Sequence, residues 1–185
     1  MELAQRPHTW EPLVGSIFGF RWWRVQPGGH LRSPWHGGHR WRAEENDAKC
    51  LVRRRVIGNW HELRDHHDAP DRSCRCGFYA LWDLPNEQRG EMLWDIPAET
   101  SGGRHGLLLG VVEAWGKILL ASGGFRAERA RPVAVTTGIV PPTPEADAVR
   151  VRFPVRSYAS VSELAGDWQD RVAEGRRLAT WDTAA

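Results

Sequence analysis

The chain has 185 residues, 11 of them tryptophan against two methionines and two tyrosines, and carries a formal charge of +2. That length suits one domain, or one domain with an appendage, and is enough to bury a core, while an odd count of three cysteines excludes a closed disulfide framework. The longest apolar run, Gly106 to Ala114, is too short to span a bilayer and contains Glu113.

Taken in order, Met1 to Gly15 shows no period and reads as an N-terminal arm; it lacks the basic-then-apolar pattern of a secretion leader. Ser16 to Val25 is aromatic and β-branched, which is strand composition, and Pro27-Gly28-Gly29 ends it. His30 to Arg42 is dense in glycine, proline, histidine and tryptophan and reads as an ordered loop that carries side chains. Ala48 to Ile57 reads as a strand with Arg53 or Arg55 on its outer face, and Trp60 to His67 as one or two helical turns stopped by Pro70. Cys76 to Trp82 reads as a short strand, Glu87 to Trp94 as a short helix and Pro97 to Gly106 as a glycine-rich loop.

Leu107 to Ala114, Lys117 to Ala121, Phe125 to Ala130 and Val133 to Thr137 are separated by Trp115-Gly116, Ser122-Gly123-Gly124 and Arg131-Pro132. Short apolar runs at this spacing predict an antiparallel meander of four strands. Pro141 to Pro144 is a stiff linker, and Val149 to Val155 reads as an edge strand because Pro154 is excluded from a central one. Ser160 and Glu163 fit a capping box, Leu164, Trp168 and Val172 recur every four residues, and Gly175 is the expected stop of a C-terminal helix. The domain plan is an arm (1–15), a β-rich domain (16–140) and a tail of linker, edge strand and helix (141–185).

Chemistry concentrates between His66 and Ala80. Cys74 and Cys76 are two residues apart, so in extended chain both thiols point to one side. Pro70 turns the chain so that His66 or His67 returns toward them, and Cys50 completes a Cys3His set of the closed, structural zinc kind. The competing readings are buried thiols without metal and a redox or nucleophilic cysteine. A metal-binding chain with free thiols belongs in a reducing compartment, so a cytoplasmic location is expected.

Catalytic spacings fail. His61 and His66 are five apart where a metalloprotease helix needs four, and neither H-x-E nor C-x-x-C of the zinc deaminases occurs. Gly110 to Lys117 has five residues between its glycines and Ile118 where a phosphate loop needs a hydroxyl. An enzyme using scattered carboxylates in a tryptophan-lined pocket stays open as a third reading. Charge favours binding: Arg21 to Arg64 carries ten cations against four acids, a local +6 that leaves −4 for the rest. Such a field attracts anions or is merely solvated. Arg21, Trp23, Arg24, Arg32, Trp35, Arg40 and Trp41 interleave cations with flat rings, the combination that tracks phosphates and stacks bases, and Arg53 and Arg55 extend it. Tryptophan and arginine also anchor protein partners, and eleven tryptophans also suit a core.

The motif H-x-A-P-x-x-x-C-x-C-G-x-Y-A (His67 to Ala80), with Gly110-Val-Val-Glu-Ala-Trp-Gly116 and Gly124-Phe-Arg-Ala-Glu-Arg-Ala-Arg-Pro132, resembles a family of uncharacterised actinobacterial and phage proteins. Phe20-Arg-Trp-Trp-Arg-Val25 and Leu31-Arg-Ser-Pro34 resemble its opening, so the likeness runs from Ile17 to Val135. It implies one compact unit, favours His67 over His66 as ligand and supplies no activity. The expectation is an α+β domain, a largely antiparallel twisted sheet or partly closed barrel with a zinc-pinned loop region and a C-terminal helix. Its first function is binding an anion, nucleic acid foremost, its second a protein-interaction or regulatory role.

Overall fold

The computed structural model describes residues 15–34, 39–56, 59–64, 67–84, 107–136 and 144–181, with 51–56, 59–64, 107, 144–146 and 179–181 described by backbone alone. In chain order these form strands β1 (Ile17–Gln26), β2 (His30–Arg32), β3 (Asn46–Asp47), β4 (Leu51–Val56), β5 (Asn59–Arg64), β6 (Phe78–Leu81), β7 (Leu107–Ala121) and β8 (Gly124–Thr136), then helix α1 (Pro144–Arg152), strand β9 (Arg156–Tyr158) and helix α2 (Val161–Trp181). The architecture is a mostly antiparallel sheet with a C-terminal helix, as the residue pattern predicts. The one parallel pairing among the described strands is that of β9 with β8.

Four strands close a ring. β1 pairs with β7, β7 with β8, β8 with β6, and β6 returns to β1 through Phe20 opposite Leu81. The composition of β1 explains why it sits in the middle: aromatic and β-branched side chains fit a pleated surface covered on both sides. Gly19, Arg21 and Trp23 point into the ring, where a methyl on Gly19 would strike Phe125 and Ala80. Phe18, on the opposite face, packs its ring 5.3 Å from Trp168 of α2.

The predicted four-strand meander is two long strands. Trp115-Gly116 and Arg131-Pro132 are not turns; they sit at the two register shifts of the β7–β8 hairpin, between Trp115 and Ile118 and between Val111 and Val112. A bulge and a turn draw on the same residues, because both need an unpaired residue and often a left-handed one. Gly116 has φ +78°, and a Cβ there would lie 2.6 Å from the Glu128 carboxylate. That carboxylate instead accepts the Lys117 amide at 2.9 Å. Only Ser122-Gly123 is a true reversal, with Ala121 opposite Gly124.

Three further expectations are corrected. Asn59–Arg64 is a strand paired with β4 rather than a helical turn, and the register sets Arg53 opposite Glu62. A helix of two turns is marginal alone, whereas the neighbouring strand offers a full ladder. Pro144–Arg152 is helical, not an edge strand. Its V-R-V-R-F alternation imitates a strand, yet Val149 and Phe153, four apart, are both 0% exposed while Val151 is 87% exposed. Gly175 does not stop α2, which runs on to Trp181; it is a contact glycine, with room for a Cβ 3.4 Å from Ile17 and from the Trp82 ring. The loop expected at His30–Arg42 holds the short β2 and a bridge between Arg32 and Arg40. The arm to Val14, the helix at 87–94, the loop at 97–106 and most of the proline linker lie outside the described residues.

The cap of α2 forms as expected. The Glu163 amide donates to Ser160 Oγ at 3.2 Å, and the Glu163 carboxylate accepts the Ala159 amide at 3.0 Å. Leu164, Trp168 and Val172 are buried against the ring, each worth roughly 1.5–3 kcal/mol by transfer from water. Among the described residues no helix is long and apolar enough to cross a membrane.

Candidate metal centre

Two arms reach the centre, and β8 holds both. The first runs out of β3: Asn46 and Asp47 pair with Ala130 and Arg129, and the Ala48 amide donates to the Glu128 carbonyl at 2.7 Å. Two residues later Cys50 arrives, buried at 5% exposure. Asn46 anchors this arm. Its side-chain amide donates to the carbonyls of Arg42 and Ala130 at 3.0 and 3.1 Å, and its oxygen accepts the Arg42 amide at 2.7 Å.

The second arm is the loop from His67 to Gly77. Asp71 opens its turn, accepting the Ser73 amide and hydroxyl at 2.8 and 2.6 Å, and these bonds hold its carboxyl below the usual range. The Cys74 amide then donates to the Asp71 carbonyl at 3.3 Å. Arg126 of β8 donates to the Cys76 carbonyl at 3.2 Å and to that of Cys74. Gly77, at φ +111°, lets the chain drop from Cys76 into β6; a Cβ there would meet Pro70 at 2.9 Å.

Together the arms bring the ligand atoms of Cys50, His67, Cys74 and Cys76 within 4.8 Å of one another. Cys50 Sγ lies 3.4 Å from Cys74 Sγ, and His67 Nε2 lies 3.4 Å from Cys76 Sγ. Tetrahedral metal–sulfur bonds of about 2.3 Å require sulfur separations of about 3.8 Å, so the quartet matches the shell of one ion. All three cysteines are free thiols. Burial, then the neighbouring thiols, pushes the Cys50 thiol up. At Cys74 burial also opposes charge but is outweighed by hydrogen bonds from Cys50 and Cys76, so this thiol is held below its ordinary value. Burial and the neighbouring thiols thus oppose negative charge at Cys50, and a cation would relieve that opposition. The four residues could hold a metal ion; spacing predicts Cys50, Cys74 and Cys76 with His66 or His67, the resemblance favours His67, and His66 lies outside the described residues.

The predicted ligand-binding residues divide. Trp23 and Trp41 are 0% and 2% exposed, with ring centroids 5.4 Å apart, and Trp41 packs on Phe78 at 4.8 Å. Their faces are closed to a base, because the interior of the ring needed large rings to fill it. Arg21 is buried with them: its guanidinium lies 4.7 Å over the Trp41 ring and donates to Ser33 Oγ at 3.2 Å and to the Tyr79 carbonyl. Burial brings its pKa down to about 9. These three are core residues, not surface contacts. Arg24 and Arg32 are half-buried and Arg40 is exposed. Trp35 lies outside the described residues, and only the backbone of Arg53 and Arg55 is described.

Sequence reasoning missed Arg126 and Asn46. Arg126 sits in the alternating stretch Phe125 to Ala130, whose charges suggest only a wet face. Its guanidinium in fact lies on the cysteine loop and 5.7 Å from the Tyr79 ring, whose hydroxyl donates to the Arg75 carbonyl at 2.8 Å. Comparison with protein-family models, curated proteins and solved structures finds no match for this chain.

Proposed function

We propose that the chain is a zinc-stapled binding module whose ligand is an anion, nucleic acid foremost. The observation that carries the zinc-stapled part of this reading is the convergence of three thiols and one imidazole within 4.8 Å. A soft sulfur-rich set favours zinc over magnesium or calcium, and four protein ligands leave no open position for a substrate, so the ion has a structural role. Three thiolates and a divalent ion carry a net charge of about −1, which Arg126 offsets from β8.

The staple joins two stretches that each carry exposed cations beside an equal number of acids. One contributes Arg40, Arg42 and Lys49, the other Arg72 and Arg75, and all five are exposed. Of the acids between them, Glu45 and Asp47 are engaged by Arg129 at 3.6 and 3.5 Å. With those two acids held by Arg129, Glu44 is the one acid left beside Arg40, Arg42 and Lys49 in their own stretch, and cations of this kind neutralise phosphates.

Two measurements test the reading. Elemental analysis of protein purified without chelators is expected to find about one zinc per chain. Anisotropy of a labelled single-stranded oligonucleotide is expected to show affinity falling about 50-fold between 50 and 200 mM salt, as about four phosphate contacts require. Zinc far below one per chain removes the staple; failure to bind any oligonucleotide at low salt removes the ligand class. Capture of a protein that ignores salt would favour the interaction-module reading.

A further inference from the structure

We infer that β1, β2, the Arg40 bridge and α1 together build a clamp for a phosphoryl oxyanion, formed by Arg24, His30, Arg32, Arg40 and Arg152. The inference rests on the anion-binding reading above and gives it a particular site. It includes two residues, His30 and Arg152, that the basic sequence pattern does not single out, one of them from a helix more than a hundred positions away in the chain.

Register makes the case. Arg24 lies directly opposite Arg32, and Arg32 directly opposite Arg40. Residues so paired project from the same face, with Cβ atoms roughly 4.5–5.5 Å apart. Three guanidinium side chains therefore stand in a row across three adjacent backbone segments. His30, two residues before Arg32 on β2, shares their face by strand alternation, and Arg40 Nε donates to His30 Nδ1 at 3.0 Å. Like charges set directly opposite one another oppose strand pairing. Among the described residues no carboxylate forms an ion pair with Arg24, Arg40 or Arg152.

The fourth cation is delivered by α1. Val149 and Phe153 bury this helix, and at Gly29 the hairpin turn approaches the Ala148–Val149 backbone so closely that a Cβ would overlap it. Arg152 follows in the last turn, and its Nε donates to the Gly28 carbonyl at 3.1 Å. One edge of its guanidinium is thus fixed on the turn. The field of Arg152, Arg40 and Arg32 is felt at His30, whose pKa is lowered first by desolvation and then by these three charges.

A second observation is independent of charge. Arg24 Nε and Nη2 are buried without a hydrogen-bond partner among the described residues, as is the indole nitrogen of Trp22, two residues earlier on the same face of β1. Buried donors are almost always satisfied, and a guanidinium fork matches the oxygens of a phosphoryl group. A bound oxyanion would accept from Arg24, relieve the repulsion along the row and raise the His30 pKa by cancelling the field upon it.

The test uses the full chain. The His30 ring protons are followed by NMR while inorganic phosphate is added, with chloride at equal ionic strength as the control, and a labelled single-stranded oligonucleotide is titrated separately. Phosphate is expected to raise the His30 pKa. Arg40→Gln and Arg152→Gln, both at exposed positions, are expected to weaken phosphate binding about tenfold each; Arg176→Gln, whose partner is Asp83, should leave it unchanged. His30 signals that follow chloride and phosphate alike overturn the clamp. Phosphate binding that is unchanged in Arg40→Gln and Arg152→Gln overturns it too; oligonucleotide binding that is likewise unchanged in them leaves the nucleic-acid reading standing. Phosphate binding that both variants weaken, with no oligonucleotide bound, supports the clamp and sinks the nucleic-acid reading. Parallel weakening for phosphate and oligonucleotide supports both.

Discussion

The Arg126 guanidinium donates to the Cys76 carbonyl at 3.2 Å, so a residue 50 positions away in sequence sets the path of the ligand loop. It also reaches the Cys74 carbonyl, holding the chain on both sides of Arg75. Arg126→Met keeps the apolar stem and removes the fork. Metal affinity is expected to drop about 10- to 100-fold, the usual effect of losing a residue that orients ligands. Competition against a chromophoric chelator reads this directly, and an unchanged affinity would show that the loop holds its shape without Arg126.

Stripping the metal should loosen the two arms and spare the ring. Cys50 and the Cys74–Cys76 loop are bound to β8 at only a few points, whereas β7 and β8 pair along most of their length. Chelation, or Cys74→Ser, is expected to abolish amide protection from Ala48 to Cys50 and from Asp71 to Gly77 while protection within β7 and β8 persists. Simultaneous loss everywhere would mean that the ion supports the whole fold rather than one region.

His39 gives the protein an acid-sensitive point outside the metal shell. Its Nε2 donates to Asn46 Oδ1 at 3.2 Å, and its ring packs 4.9 Å from Phe78. Burial lowers its pKa, and the charges of Arg21, Arg42 and Lys49 add to this, partly offset by the Asn46 bond. The unfolded chain, titrating near pH 6.5, therefore takes up the proton before the folded one. The stability contributed by neutral His39 is complete above about pH 6.5 and is lost as pH falls below it. With metal in excess, His39→Gln should flatten the decline in Tm below that pH relative to the natural residue. Identical pH profiles for the two proteins would remove His39 from the account.

Gly175 lies inside a helix and faces Ile17 and Trp82 at ordinary contact distance. Gly175→Ala should therefore raise stability by about 0.5–1 kcal/mol, since helix interiors disfavour glycine and the added methyl finds room. Gly175→Leu should lower it by about 1–3 kcal/mol through overpacking. Urea denaturation of both variants decides; destabilisation by alanine would mean that α2 and β1 are closer packed than the contact distance implies.

Reading ahead from the sequence succeeded where one short-range rule acts alone. The spacing of Cys74 and Cys76 with Gly77, and the Ser160 and Glu163 cap, depend on neighbours a few residues away, and the structure has both. It failed where two structures share a signature. Trp115-Gly116 suits a bulge as well as a turn, and Val149 to Phe153 alternates like a strand while its buried residues fall at helical spacing. Cation and ring interleaving at Arg21 to Trp41 was legible as composition, but which rings face inward depends on ring closure between β1 and β6, a contact no local pattern encodes. The role of Arg126 is likewise set by pairing between distant strands.

The position of β8 has a kinetic meaning. One of its sides is taken by the adjacent β7, whereas the other receives β6, β3 and β9 from far along the chain. Closing a two-residue turn is fast and entropically mild, while each remote docking must wait for a long loop to close. The β7–β8 hairpin is thus the natural nucleus, and the metal quartet assembles only after both β3 and β6 have found their places on it. An ion captured that late would do little for the rate of folding and would mainly slow escape from the native state. In stopped-flow experiments chelation is expected to accelerate unfolding and leave refolding nearly untouched, making the staple a brake on opening.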